Sequence, residues 1–132
     1  IVDSLVGSEM CIRDRLAAFD EEAMSIHEQR REMFVQRARL LGDGLKHLGF
    51  HIPVPPDGAF YHYVDISHTG MNSSDFCWRL MNEFQVAVTP GADFGSHRAQ
   101  TFARFAYTTS EEAIELGLQR LAKALSAWGV SA

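Results

Sequence analysis

The sequence predicts an α/β sandwich, a small sheet covered by helices, and three observations carry that expectation. Helical and strand patterns alternate along the chain as helix, strand, helix, strand, strand, helix. The connections between them are short, which favours elements packed on one another. At 132 residues and 46% hydrophobic composition the chain is long enough for one core and argues for a single domain.

The first helix is expected from Glu21 to Leu48, where Phe34, Ala38, Leu41, Leu45 and Leu48 recur at the four-three spacing of one face. Asp20, Glu21 and Glu22 place negative charge at its positive end. Gly49 suits a left-handed cap, and Phe50 falls where a capping hydrophobe meets Leu45. Ile52-Pro-Val-Pro-Pro-Asp-Gly58 cannot continue a helix and reads as an extended turn. Ala59 to Ile66, rich in aromatic and β-branched residues, reads as a strand. Asn72 or Ser73 then caps a helix from Ser73 to Phe84. Short strands are expected at Val86 to Val88 and Thr101 to Tyr107. A closing helix runs from Ser110 to Trp128, opened by a Thr109-x-x-Glu112 capping box and apolar along Ile114, Leu118, Leu121 and Leu125.

The net charge of −5 offers no basic stripe for nucleic acid or anionic lipid. No apolar run approaches the roughly 20 residues that cross a bilayer, and no export signal is recognisable, so a cytoplasmic location is expected. Cys11 and Cys77 stand in unrelated contexts and suggest neither a disulfide nor a metal site; Cys77, on an apolar helix face, reads as a small core hydrophobe. His62, His68 and His97 lack the spacing of zinc ligands and are read as surface or packing residues. Residues 1–15 sustain no periodicity and resemble translated sequencing-adapter sequence. They are expected to be a non-native leader before a domain spanning 16–132.

The segment Val88-Thr-Pro-Gly-Ala-Asp-Phe-Gly95 is followed nine residues later by Arg104, a lone strand arginine among apolar neighbours in Ala103-Arg-Phe-Ala-Tyr107. On pattern alone its stem could pack on the sheet while its head pairs with Asp93 or solvent. Other motifs lie around it: Leu48-Gly-Phe50, Pro55-Pro-Asp-Gly-Ala-Phe-Tyr61, Ser74-Asp-Phe-Cys77, Val86-Ala-Val-Thr-Pro-Gly91 and Ser110-Glu-Glu112. In this order, from about Leu16 to Leu125, they resemble the C-terminal small domain of class I/II, fold type I, pyridoxal-phosphate-dependent aminotransferases.

The resemblance implies transfer of an amino group between an amino acid and a 2-oxo acid, pyridoxal 5'-phosphate as cofactor, and a homodimer as the full-length protein. It assigns Arg104 to the substrate α-carboxylate, a task that suits a planar fork able to bind both oxygens. The family's cofactor lysine sits upstream in a serine- and glycine-rich motif. The only lysines here, Lys46 and Lys123, lie in amphipathic helical patterns, so the chain is expected to be a fragment that is inactive alone, with no catalytic or cofactor-binding residue of its own. Gly91 and Gly95 are explained by turn geometry. Ser96 to Gln100 lacks a further glycine that many family members carry. Tyr61 and Tyr63 share a strand face; the resemblance puts this strand near the active-site mouth, which Phe60 or Tyr61 could line, while core packing is the expected role of both. Rival readings are a lyase of the same fold, the effector domain of a transcription regulator, and a small binding domain without cofactor.

Overall fold

A computed structural model describes residues 11–130. The chain divides into two compact units, Ile1–Met33 and Phe34–Ala132. In the first, residues 11–17 are helical and every residue from 11 to 22 is exposed. The aperiodic leader does not predict that helical stretch. Residues 1–10 of the expected leader lie outside the described residues.

Helix α1 (Glu21–His47) opens where Asp20 Oδ1 accepts the Ala23 amide at 2.8 Å. It closes on Gly49, whose φ of 82° turns the chain so that the Phe50 amide donates to the Leu45 carbonyl at 3.0 Å. Leu41, Leu45 and Phe50 are buried, so the predicted face and cap coincide with the core edge of this helix.

Three strands form one antiparallel sheet: β1 (Tyr61–Asp65), β2 (Thr89–Pro90) and β3 (Phe102–Ala106), in the order β1-β3-β2. β1 begins two residues later than expected because Ala59 sits at a left-handed φ of 64°. β2 falls at Thr89–Pro90 instead of Val86 to Val88, since register with β3 pairs Thr89 with Arg104 and Pro90 with Ala103. A proline is tolerated there because β2 is an edge strand and needs no outward donor. Helix α2 (Ser73–Phe84) is capped by Asn72, whose Oδ1 accepts the Asp75 amide at 2.9 Å. Helix α3 (Glu111–Ala127) is capped by Ser110, whose Oγ accepts the Ala113 amide at 3.3 Å. The expected Thr109–Glu112 box is therefore displaced by one residue, and alanine stands where its glutamate would be needed.

Strand alternation sorts the sheet into two faces. His62, Val64, Ala103 and Phe105 are buried, and the apolar ones join Leu41 and Leu45 of α1, Phe76 and Leu80 of α2, and Ile114 and Leu121 of α3 in one core. Burying each large aliphatic or aromatic side chain contributes about 1.5–3 kcal/mol. Cys77 belongs to this core, and burial, with the Asp93 charge, pushes its thiol up to about 12. His62 ties β1 to α1, with Nε2 2.8 Å from the Ala38 carbonyl oxygen. Gly42 admits that ring: a Cβ there would lie 3.2 Å from its Cε1 and Nε2. Tyr61, Tyr63, Phe102 and Arg104 alternate to the opposite face and are only half-buried.

Candidate functional site

The open face of the sheet is shaped by the loop between β2 and β3. Gly91 brings that loop down onto the strands: a Cβ there would lie 2.6 Å from both the Phe102 carbonyl oxygen and Tyr63 Oη, and closer still to the Ala99 carbonyl. No side chain fits, so close approach explains this glycine better than the turn geometry expected from sequence. Gly95 faces no atom within 4 Å. A 3-10 turn over Gly91–Asp93 follows, and the Phe94 amide donates to the Gly91 carbonyl at 2.9 Å.

Arg104 lies on the central strand between Tyr63 of β1 and Thr89 of β2. Its Nη2 donates to Thr89 Oγ1 at 3.3 Å, a long bond, and its buried Nε has no hydrogen-bond partner. The guanidinium carbon lies 4.7 Å from the Phe94 ring centroid and 5.6 Å from that of Tyr61. Among the described residues no ion pair involves Arg104, and Asp93, the acidic neighbour suggested by sequence, does not pair with it. A half-buried guanidinium with one long hydrogen bond is short of acceptors, which an anion entering from the open face would supply.

That face holds an open pocket of about 550 Å³, lined by Tyr61, Tyr63, Phe94, His97 and Arg104 among others. The nearby Arg98 already has a carboxylate, with Nη2 3.6 Å from Asp65 Oδ2. Burial pushes Asp65 up, but the hydroxyl and amide of Ser67 and the charges of Arg98 and His51 hold its carboxyl below the ordinary range. Tyr63 stacks on Phe102, with centroids 4.9 Å apart and planes 5° from parallel. The pocket thus offers one unpaired planar cation within aromatic walls. Such a site can take a carboxylate at the fork and apolar atoms beside it.

Two expectations change here. Tyr61 lines the pocket rather than packing in the core, and Phe60 is exposed, edge-on to Tyr61 at 5.6 Å. His97 is exposed and also lines the pocket. Thr89 and Phe94 had no assigned role, although the motif around Phe94 marked the loop. Lys46 sits 4.0 Å from Asp43 with its side chain 65% exposed, Lys123 is exposed on α3, and neither lines the Arg104 pocket.

The family described as aminotransferase class I and II matches residues 12–121 of this chain. The chain belongs to the class I and II aminotransferases. It is 34% identical over 106 residues to the valine–pyruvate aminotransferase of Mycobacterium tuberculosis, covering 80% of this chain and 27% of that protein. The aromatic aminotransferase of Pyrococcus horikoshii superposes with a TM-score of 0.79 at 32% identity, covering 86% of this chain and 30% of that one. The aspartate aminotransferase of Thermus thermophilus, solved with maleate, gives a TM-score of 0.72 at 38% identity, over 80% and 26%. The chain therefore spans about 27% of the length of the curated relatives it matches.

Proposed function

We propose that this chain is the carboxylate-orienting part of a pyridoxal-phosphate-dependent aminotransferase, which moves an amino group between an amino acid and a 2-oxo acid as a homodimer. The observation that carries the reading is Arg104, a half-buried guanidinium with no carboxylate partner among the described residues, facing an open pocket. The fork would take the substrate carboxylate by two parallel hydrogen bonds and so fix the orientation of the amino acid as well as its charge. The Thermus relative was solved with maleate, a dicarboxylate, which is in keeping with a carboxylate site in the family.

The residues of this chain do not fit as the cofactor's own cradle. Both lysines are exposed on helix surfaces, away from the Arg104 pocket. Holding the cofactor and moving the α-proton are tasks for residues beyond this sequence, in the proposed domain arrangement of a non-native 1–15 followed by a small domain over 16–132. This chain supplies binding and orientation at the carboxylate.

The test is Arg104→Lys in the full-length enzyme, where kcat/KM for the amino acid should fall on the order of 10-fold or more with cofactor loading unchanged, because a point charge does not replace the fork. Unchanged kinetics would move the carboxylate site elsewhere. Pyridoxal phosphate added to the present chain should give no saturable absorbance band. A saturable band lost on mutation of Lys46 or Lys123 would overturn the division of labour.

A further inference from the structure

Phe94 is 51% exposed and stands outside the hydrophobic core, so burial does not explain where its ring sits. The ring is nonetheless closer to the guanidinium of Arg104 than any other aromatic group, at 4.7 Å against 5.6 Å for Tyr61, and within the range where a cation is drawn to a π face. Its position is set from below. Gly91 seats the loop on the carbonyls of Ala99 and Phe102, and the Phe94 amide closes the 3-10 turn on the Gly91 carbonyl.

Hydrogen bonding alone does not fix the guanidinium. Of its five N–H donors the Nη2 group makes a single 3.3 Å bond, and the buried Nε makes none. A π contact orients the cation without consuming a donor, so the N–H edges remain free for an incoming anion.

We propose that Phe94 is the positioning residue of Arg104: its ring, seated by the Gly91 turn, fixes the plane in which the fork meets a carboxylate. This deepens the proposed function and rests on Arg104 being the carboxylate site. Phe94 acts through the arginine. The loop that carries it therefore sets how tightly a carboxylate is held.

The experiment uses the 132-residue chain and two readouts. In the first, without ligand, the Arg104 Nε–H resonance is followed by ¹⁵N NMR in wild type, Phe94→Leu and Phe94→Trp. A ring-current shift lost in the leucine variant and kept in the tryptophan variant is expected; a resonance indifferent to Phe94→Leu overturns the proposal. In the second, maleate is titrated into the same proteins and into chains carrying phenylalanine fluorinated stepwise at position 94, which keeps the shape of the ring while weakening its π face. Affinity should fall progressively along the fluorine series and about 3-fold or more in Phe94→Leu. Equal affinity across the series overturns the proposal even if the leucine variant folds poorly. Arg104→Lys separates the two claims. If it leaves maleate binding unchanged, the carboxylate reading fails; if it weakens binding while the Phe94 series does not, only the positioning role fails.

Discussion

Replacing Gly91 with alanine is the sharpest probe of how the pocket is built. The added Cβ would lie 2.6 Å from the Phe102 carbonyl oxygen and Tyr63 Oη and closer to the Ala99 carbonyl, so the first two must retreat by about 0.8 Å and the Ala99 carbonyl further still to reach ordinary contact at 3.4 Å. Two of the three are backbone atoms, one in β3 and one in the preceding turn, and cannot swing aside as a side-chain tip can. Overpacking of this kind typically costs 1–3 kcal/mol, and the rigid neighbours place Gly91→Ala at about 3 kcal/mol. For a chain of this size that loss lowers Tm by on the order of 10 °C. Two internal controls calibrate the number. At Gly44 the obstruction is the end of the Leu118 side chain, which can change rotamer, so Gly44→Ala should cost about 1 kcal/mol. At Gly95 nothing lies within 4 Å and φ is not left-handed, so Gly95→Ala should stay within about 0.5 kcal/mol of wild type. Urea denaturation at constant pH measures all three. If Gly91→Ala is no less stable than Gly95→Ala, the loop does not rest on the sheet as described.

Cys77, with its thiol pushed up to about 12 by burial, should resist a thiol reagent at pH 8 while exposed Cys11 reacts; rapid modification of both in the folded chain would contradict the packing of α2. Burial lowers His62 despite the opposing Ala38 carbonyl, with Lys46 adding to the effect, and burial likewise lowers His68 against the charge of Asp65. Both rings are therefore favoured neutral in the folded state. Their contribution is fully present above the ordinary histidine value of about 6.5 and is lost as pH falls from there through the lowered folded values. Urea midpoints should drop between pH 7 and pH 5, with a shallower drop in His62→Gln; midpoints that stay level or rise on acidification would reverse the sign.

Much of this architecture is legible in the sequence because it depends on local rules. The α1 face from Phe34 to Leu48, the Gly49 cap and the Asn72 cap each follow from spacing or from one residue's conformational freedom. The expectations that moved depend on tertiary context. β2 slipped from Val86 to Thr89 because its register is set by β3, which the apolar run does not reveal. Alternation places Tyr61 and Tyr63 on one strand face, but the same pattern fits a face against helices or a face against solvent, and the structure puts it on the open side. Arg104 could be singled out as a cation among apolar neighbours. That no described carboxylate reaches it, and that Phe94 and Thr89 do, requires the loop closure over Gly91.

The strand order carries a consequence for the newborn chain. β1 and β2 are both made before β3, yet they do not pair with each other; both pair with β3, and β1 has besides only the single bridge from Asp65 to His51. A ribosome that has not passed Ala106 therefore holds two strand segments with unmatched edges, joined only by helix α2, and such edges are open to pairing with other chains. Closing the sheet must wait for a distant contact, which slows folding relative to a hairpin of the same size. The strand that ends this wait also brings Arg104, so the sheet and its binding face arrive together, and an incomplete chain cannot present the pocket.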